Sequence, residues 1–373
     1  MRAFSPEAVR PPLWAIAHAD AADHAACRAA IRTGSRSFFA ASALLPAAVR
    51  RPAYGLYAFC RLSDDAVDEV AANGRAAAVA RLSARLARAY DGRPADTAAD
   101  RALADIVADH AIPQALPGAL IEGLAWDAQG RRYETLSELS AYAARVAASV
   151  GAMMTLIMGV RDPGTLARAC DLGVAMQFTN IARDVGEDAR AGRLYLPLRW
   201  LAEEGIDADA FLADPTPSPA LARVVGRLLA AADLLYARAQ SGVSGLPLSC
   251  RPAIRAAGSI YSEIGRELER AGLDPITSRA RVAGRRKGVL LAKALLLGAS
   301  GGARTAPPLP ETAFLVDAVA AQPVPVRASW WDVPAQAGRV LDLVEILRAR
   351  ESFGSQGFGS LAFASEEANP APS

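Results

Sequence analysis

The sequence predicts an all-α protein with one large helical domain. Three observations predict it: alanine and leucine abound, aromatic residues make up only 6% of the 373, and β-branched runs are few while apolar residues recur at helical spacing. Length alone leaves room for two or three domains. The 41 basic and 39 acidic residues nearly cancel, so no field is available to hold nucleic acid by counterion release. Cys27, Cys60, Cys170 and Cys250 lie far apart without a C-x-x-C pair and read as reduced core thiols of a cytoplasmic protein. His18, His24 and His110 have no zinc spacing, and the N-terminus lacks the pattern of a signal peptide.

Residues 1–22, with Pro6, Pro11 and Pro12, read as an arm. Helical periodicity begins near Ala21 and breaks at Gly34, where Ser35, Arg36, Ser37 and Phe38 read as a polar turn. An arginine with two hydroxyls can hold an oxyanion; the plainer reading is a capping turn. From Pro52 the chain is helical again, and Tyr57, Arg61, Asp64 and Asp68 stand at i, i+4, i+7 and i+11 on one stripe. An exposed arginine-rich helix follows, ending at Gly92 and Pro94; another runs to His110, and Pro113 and Pro117 open a third, which reaches Trp126. The stretch from Glu138 to Met158 carries Tyr142 and Arg145 among small residues such as Ala147, Gly151 and Ala152. It suits either a smooth wall for a hydrocarbon or close helix contacts.

The segment Gln177–Asp188 organises the rest. At about 100° per residue, Gln177, Asn180, Asp184 and Asp188 share a stripe roughly 60° wide, flanked by apolar Phe178, Ile181, Ala182 and Val185. Two stripes therefore carry i, i+4 aspartate pairs, and like-charged pairs on apolar helices are destabilising unless neutralised. Facing each other, they would surround a cavity with carboxylates suited to Mg²⁺, which takes one or two carboxylates and completes its shell with water and phosphate oxygens. A buried salt-bridge cluster is the alternative. Beyond Gly192, Arg193 and Tyr195 face back toward the carboxylates; helices follow at about 220–241 and from Pro252, through Tyr261, to Arg270. A basic link holding Arg279 and Arg281 leads to an apolar helix at 288–297, too short to span a bilayer and read as a core helix. From Gly301 the prolines suggest an irregular extension, partly disordered, with one amphipathic helix near 336–348.

Y-A-F-C-R-L-S-D-D-A-V-D (57–68) and Q-F-T-N-I-A-R-D-V-G-E-D-A-R-A-G-R-L-Y-L-P (177–197) resemble the squalene and phytoene synthases, head-to-head prenyl transferases. The resemblance covers about residues 25–297 and implies a single isoprenoid-synthase helical domain, about 23–300, around a central apolar cavity. It implies Mg²⁺, with Mn²⁺ as a substitute, bound by Asp64, Asp68, Asn180, Asp184 and Asp188, and chemistry carried by the four aspartates with Tyr57 and Arg61. Substrate contacts are implied at Ser35, Arg36, Ser37, Tyr57, Arg61, Tyr142, Gln177, Asn180, Arg183, Tyr195, Tyr261 and Arg279, with Arg281 competing with Arg279. The wording of both motifs is most similar to bacterial phytoene synthases. These join two geranylgeranyl diphosphates through prephytoene diphosphate, the first committed step of carotenoid biosynthesis, and the resemblance implies no NADPH. The alternatives are a squalene or dehydrosqualene synthase acting on farnesyl diphosphate, and a non-catalytic prenyl-lipid-binding or scaffold relative. Peripheral contact with a membrane or with other carotenoid enzymes stays open.

Overall fold

The computed structural model describes residues 17–296 and 306–322, and every regular element among them is a helix. In order these are α1 (Ala21–Gly34), α2 (Arg36–Ser42), α3 (Ala47–Asp68), α4 (Arg75–Tyr90), α5 (Ala98–Asp109), α6 (Ala115–Ala128), α7 (Leu136–Ala143) and α8 (Ser149–Ile157). There follow α9 (Pro163–Arg190), α10 (Leu198–Glu203), α11 (Ala208–Ala213), α12 (Pro219–Gln240), α13 (Arg251–Arg270), α14 (Gly284–Leu296) and α15 (Ala313–Ala321). Short polar side chains cap seven of them, from Asp20, Ser35, Thr97, Thr135, Asp162, Asp207 and Ser218. Asp20 accepts the Asp23 N–H at 2.9 Å while Asp23 accepts the Asp20 N–H at 3.1 Å, a reciprocal cap on α1.

Helix α9 is the axis of the fold. It begins where Asp162 accepts the Thr165 N–H at 2.8 Å and Pro163 occupies the first turn. Its 28 residues span about 42 Å, and α8, α12 and α13 pack around it. A π-helical turn, Ala144–Ala148, joins α7 to α8. Gly151 lies against Ala169 and Gly173 against Ala147 and Ala148, so this helix and α9 run antiparallel. A Cβ on Gly173 would stand 2.6 Å from Ala148 Cα, so only glycine permits this approach. Leu136–Ile157 is long and apolar enough to cross a bilayer by length and composition, but most of it is buried inside the bundle.

Four expectations change. Arg36 and Ser37 are not in a turn: Ser35 caps α2, accepting the Phe38 N–H at 3.3 Å, and the next seven residues are helical. Helix α3 starts at Ala47, before Pro52, which α3 accommodates in its interior. Helix α14 is not a core helix, because only Leu290 and Ala294 are buried while Val289, Leu295 and Leu296 face solvent. Residues 306–321 do not belong to an irregular extension: Leu315, Val316 and Val319 of α15 are buried in the main core. The arm up to residue 16 and the helix expected at 336–348 lie outside the described residues.

Candidate active site

Helices α3 and α9 bring their polar stripes to opposite walls of one cavity of about 500 Å³. Tyr57, Arg61, Asp64 and Asp68 line it from α3, and Gln177, Asn180, Arg183, Asp184 and Asp188 from α9. Arg193, Tyr195 and Arg279 reach in from the loops after α9 and α13, Tyr142 from α7 and Asp127 from α6. Farther toward the N-termini of α3 and α9 lies a second cavity of about 330 Å³ with an almost wholly apolar wall. Tyr57, Cys60, Val146, Gln177 and Asn180 line both. A polar mouth and an apolar shaft therefore meet at these five residues.

The charges of the mouth are tied to one another. Arg183 Nε donates to Asp184 at 2.6 Å, and Arg279 grips both oxygens of the same carboxylate at 2.8 and 3.0 Å. Arg279 also lies 3.3 Å from Glu187, which assigns the inward register to Arg279; Arg281 does not line the mouth. Arg193 pairs with Asp68 at 2.9 Å, and Arg61 lies 2.6 Å from Asp65 and 3.6 Å from Asp64. The Asp188 side chain forms no hydrogen bond or ion pair among the described residues, and burial followed by the neighbouring Asp184 charge pushes its carboxyl up to about 7. Burial and then Asp68 raise Asp64 in the same direction. Burial opposes the charge on Arg183, yet the Asp184 pair raises its pKa overall.

Asp127, to which the motifs assign no role, lies in the wall of the mouth. It accepts the Tyr142 and Tyr195 hydroxyls at 2.8 Å each, and burial holds it up at about 6 against those bonds. Tyr133, Tyr142 and Tyr195 stack beside it, with Tyr142 at 5.3 Å from Tyr133 and 5.2 Å from Tyr195, centroid to centroid. A lone carboxylate in the otherwise apolar run G-L-A-W-D-A was the available signal.

The α1–α2 residues sit elsewhere. Arg36 lines a separate depression with Arg32, Thr33 and Phe39, while Ser35 and Ser37 are outside the mouth's lining. Ser35 is hydrogen-bonded to Tyr261, which is buried and close enough to feel Arg183 and Tyr57. The Tyr57 hydroxyl rests on Gly34, where a Cβ would collide with it.

The donor set suits a hard divalent cation. The buried Asn180 Oδ1 has no partner, and burial together with a neighbouring carboxylate raises both Asp188 and Asp64, a cost that a cation would offset. Among the described residues no three His, Cys, Asp or Glu side chains converge on a point, so an ion here would draw most of its shell from water and ligand, as Mg²⁺ does. Five aspartates face four arginines in the mouth, leaving no positive surplus for a diphosphate unless cations arrive with it.

A family model described as squalene/phytoene synthase matches residues 31–286. Phytoene synthase of Rhodobacter capsulatus is 56% identical over 306 residues, 80% of this chain and 90% of that protein. That of Cereibacter sphaeroides is 53% identical over 313 residues, 80% and 88% of the two chains. Among solved structures, a ligand-bound dehydrosqualene synthase superposes with TM-score 0.67 at 29% identity, covering 74% of this chain and 95% of that one.

Proposed function

The chain belongs to the squalene/phytoene synthase family, and on that premise we propose that it is a phytoene synthase, a prenyltransferase that joins two geranylgeranyl diphosphates head to head through prephytoene diphosphate. The observation that carries the reading is the continuity of the two cavities at Tyr57, Gln177 and Asn180. A diphosphate fits the charged mouth, and its prenyl tail fits the apolar shaft.

Arg61, Arg183, Arg193 and Arg279 are spread around the mouth, where exchange of carboxylate for phosphate partners lets them stabilise diphosphate as it leaves C1. Mg²⁺ held by the pairs Asp64/Asp68 and Asp184/Asp188, with Asn180 beside them, would supply positive charge to the same leaving group. The allylic cation left behind at the cavity junction meets Tyr57, which lines both cavities. Farther in, the wall is almost wholly apolar, with Ala147, Gly151, Leu172 and Gly173 among its residues, so water is kept out and the second substrate's double bond is the group that reacts. The relatives named phytoene synthase at 53–56% identity support geranylgeranyl over farnesyl diphosphate. We further propose a cytoplasmic enzyme, a reading supported by its four free cysteines.

Purified protein given geranylgeranyl and farnesyl diphosphates in competition, with Mg²⁺, is expected to yield phytoene as the main product. Dehydrosqualene or squalene as the main product would favour the farnesyl reading, and no product would favour a binding role. Asp68→Asn and Asp184→Asn should each lower turnover by about 10³-fold or more with the fold retained.

A further inference from the structure

The apolar shaft carries one charged residue near its far end, where Thr165 and Arg168 of α9 line it. Helix α9 carries Asn180, at the junction of the cavities, and Arg168, three turns nearer its N-terminus, on the same wall. The antiparallel helix reaches Met158 at that level, and Gly242 and Val243, just past α12, complete the end. Arg168 is 2% exposed, which would be costly for an unpaired guanidinium. Its head is held by groups that do not line the shaft: Nη1 and Nη2 donate to the main-chain carbonyls of Ala306 and Pro307 at 3.1 Å each, and Nε forms an ion pair with Asp171 at 2.8 Å without a hydrogen bond. Arg238 donates to the same Pro307 carbonyl and to Asp171, both at 3.0 Å. The Arg168 stem is seated on Gly242, where a Cβ would collide with the arginine's own Cβ.

These carbonyls belong to a segment outside the family-matched residues 31–286. The segment is anchored downstream by the buried Leu315, Val316 and Val319 and by Ser137, whose hydroxyl donates to Glu311 at 2.5 Å. We propose that Arg168, clamped by the Ala306–Pro307 carbonyls, is the end wall of the prenyl cavity, so that the C-terminal segment sets the chain length the site accepts. From Asn180 to Arg168 is 12 residues of helix, about 18 Å of depth. A wall at that depth admits a chain of fixed length and excludes one with a further isoprene unit. The inference rests on the prenyl-diphosphate reading above.

The test is binding, by calorimetry with Mg²⁺, of unreactive thiolo-diphosphate analogues carrying farnesyl, geranylgeranyl and geranylfarnesyl chains. Wild-type protein should bind the geranylgeranyl analogue about tenfold or more tightly than the geranylfarnesyl one. Arg168→Ala, which removes the wall, should reduce that preference to about threefold or less. Arg168→Met keeps a stem of similar reach and should keep the wild-type preference. Gly242→Ala pushes the stem into the shaft and should move the preference toward farnesyl. An unchanged preference in folded Arg168→Ala overturns the inference. Should that variant fail to fold, an unchanged farnesyl-to-geranylgeranyl ratio in Gly242→Ala overturns it equally. Wild-type protein that binds none of the three chains overturns the prenyl-diphosphate reading itself, and this inference with it.

Discussion

Asp188 has the mark of a residue kept for function at the expense of stability. Its carboxyl is raised from 3.8 to about 7, first by burial and then by Asp184. Because the folded pKa lies above the unfolded one, the folded state holds the extra proton between these values, and stability falls as pH rises from about 4 to about 7. Asp188→Asn should therefore stabilise the ligand-free protein above neutrality by about 1–3 kcal/mol, with the gain vanishing below about pH 4. Thermal melts of both forms across pH check this. Adding Mg²⁺ should raise the melting temperature of the wild type more than that of the variant. Asp127 differs because it already has two partners. Asp127→Asn leaves one of Tyr142 and Tyr195 facing an amide N–H₂ instead of an acceptor, and turnover should fall about 10–100-fold with the circular dichroism unchanged. The paired aspartates were legible because spacing alone puts them on one stripe. Asp127 was not, since its importance comes from tyrosines 15 and 68 positions away.

At the scale of elements, the helix–helix contact that forms the shaft depends on two glycines, Gly151 and Gly173, the second the tighter. A methyl group on Gly173 would stand 2.6 Å from Ala148 Cα and 2.7 Å from Ala147 O, backbone atoms that cannot rotate away. Gly173→Ala should cost about 2–4 kcal/mol in chemical denaturation. The small-residue run before Met158 had two readings in the sequence, wall or close contact, and it serves as both: Ala147 and Gly151 line the shaft and touch α9. The Ser35–Phe38 segment reads as a turn because serine is strong both as a turn residue and as a helix cap; tertiary contact of Phe38 with Tyr261, 4.9 Å between ring centroids, favours the helix. Helix α14 misleads in the other direction. Its apolar residues are real, but Arg285, Arg286 and Lys287 precede them, and one narrow face alone is buried.

For the whole molecule, the described helical body does not stop where the family resemblance stops. Residues 306–310 read as irregular because prolines dominate them, and α15 has only nine residues, too few to be stable as an isolated helix. Its stability comes from docking Leu315, Val316 and Val319 into the core that surrounds α9, a tertiary effect no local pattern reports. Leu315→Ala should accordingly cost about 2–5 kcal/mol in equilibrium unfolding, as for any fully buried leucine. The body thus joins a charged mouth, which holds carboxylates and guanidiniums in near balance, to an apolar shaft. The central claim is that this mouth releases diphosphate from an allylic ester with the help of divalent cations while the shaft protects the resulting cation. Its most direct test is a count of inorganic diphosphate released against phytoene formed from geranylgeranyl diphosphate, with Mg²⁺ and after chelation. The account predicts two diphosphates per phytoene with Mg²⁺ and neither product after chelation; phytoene formed at an undiminished rate in the chelated sample would contradict it.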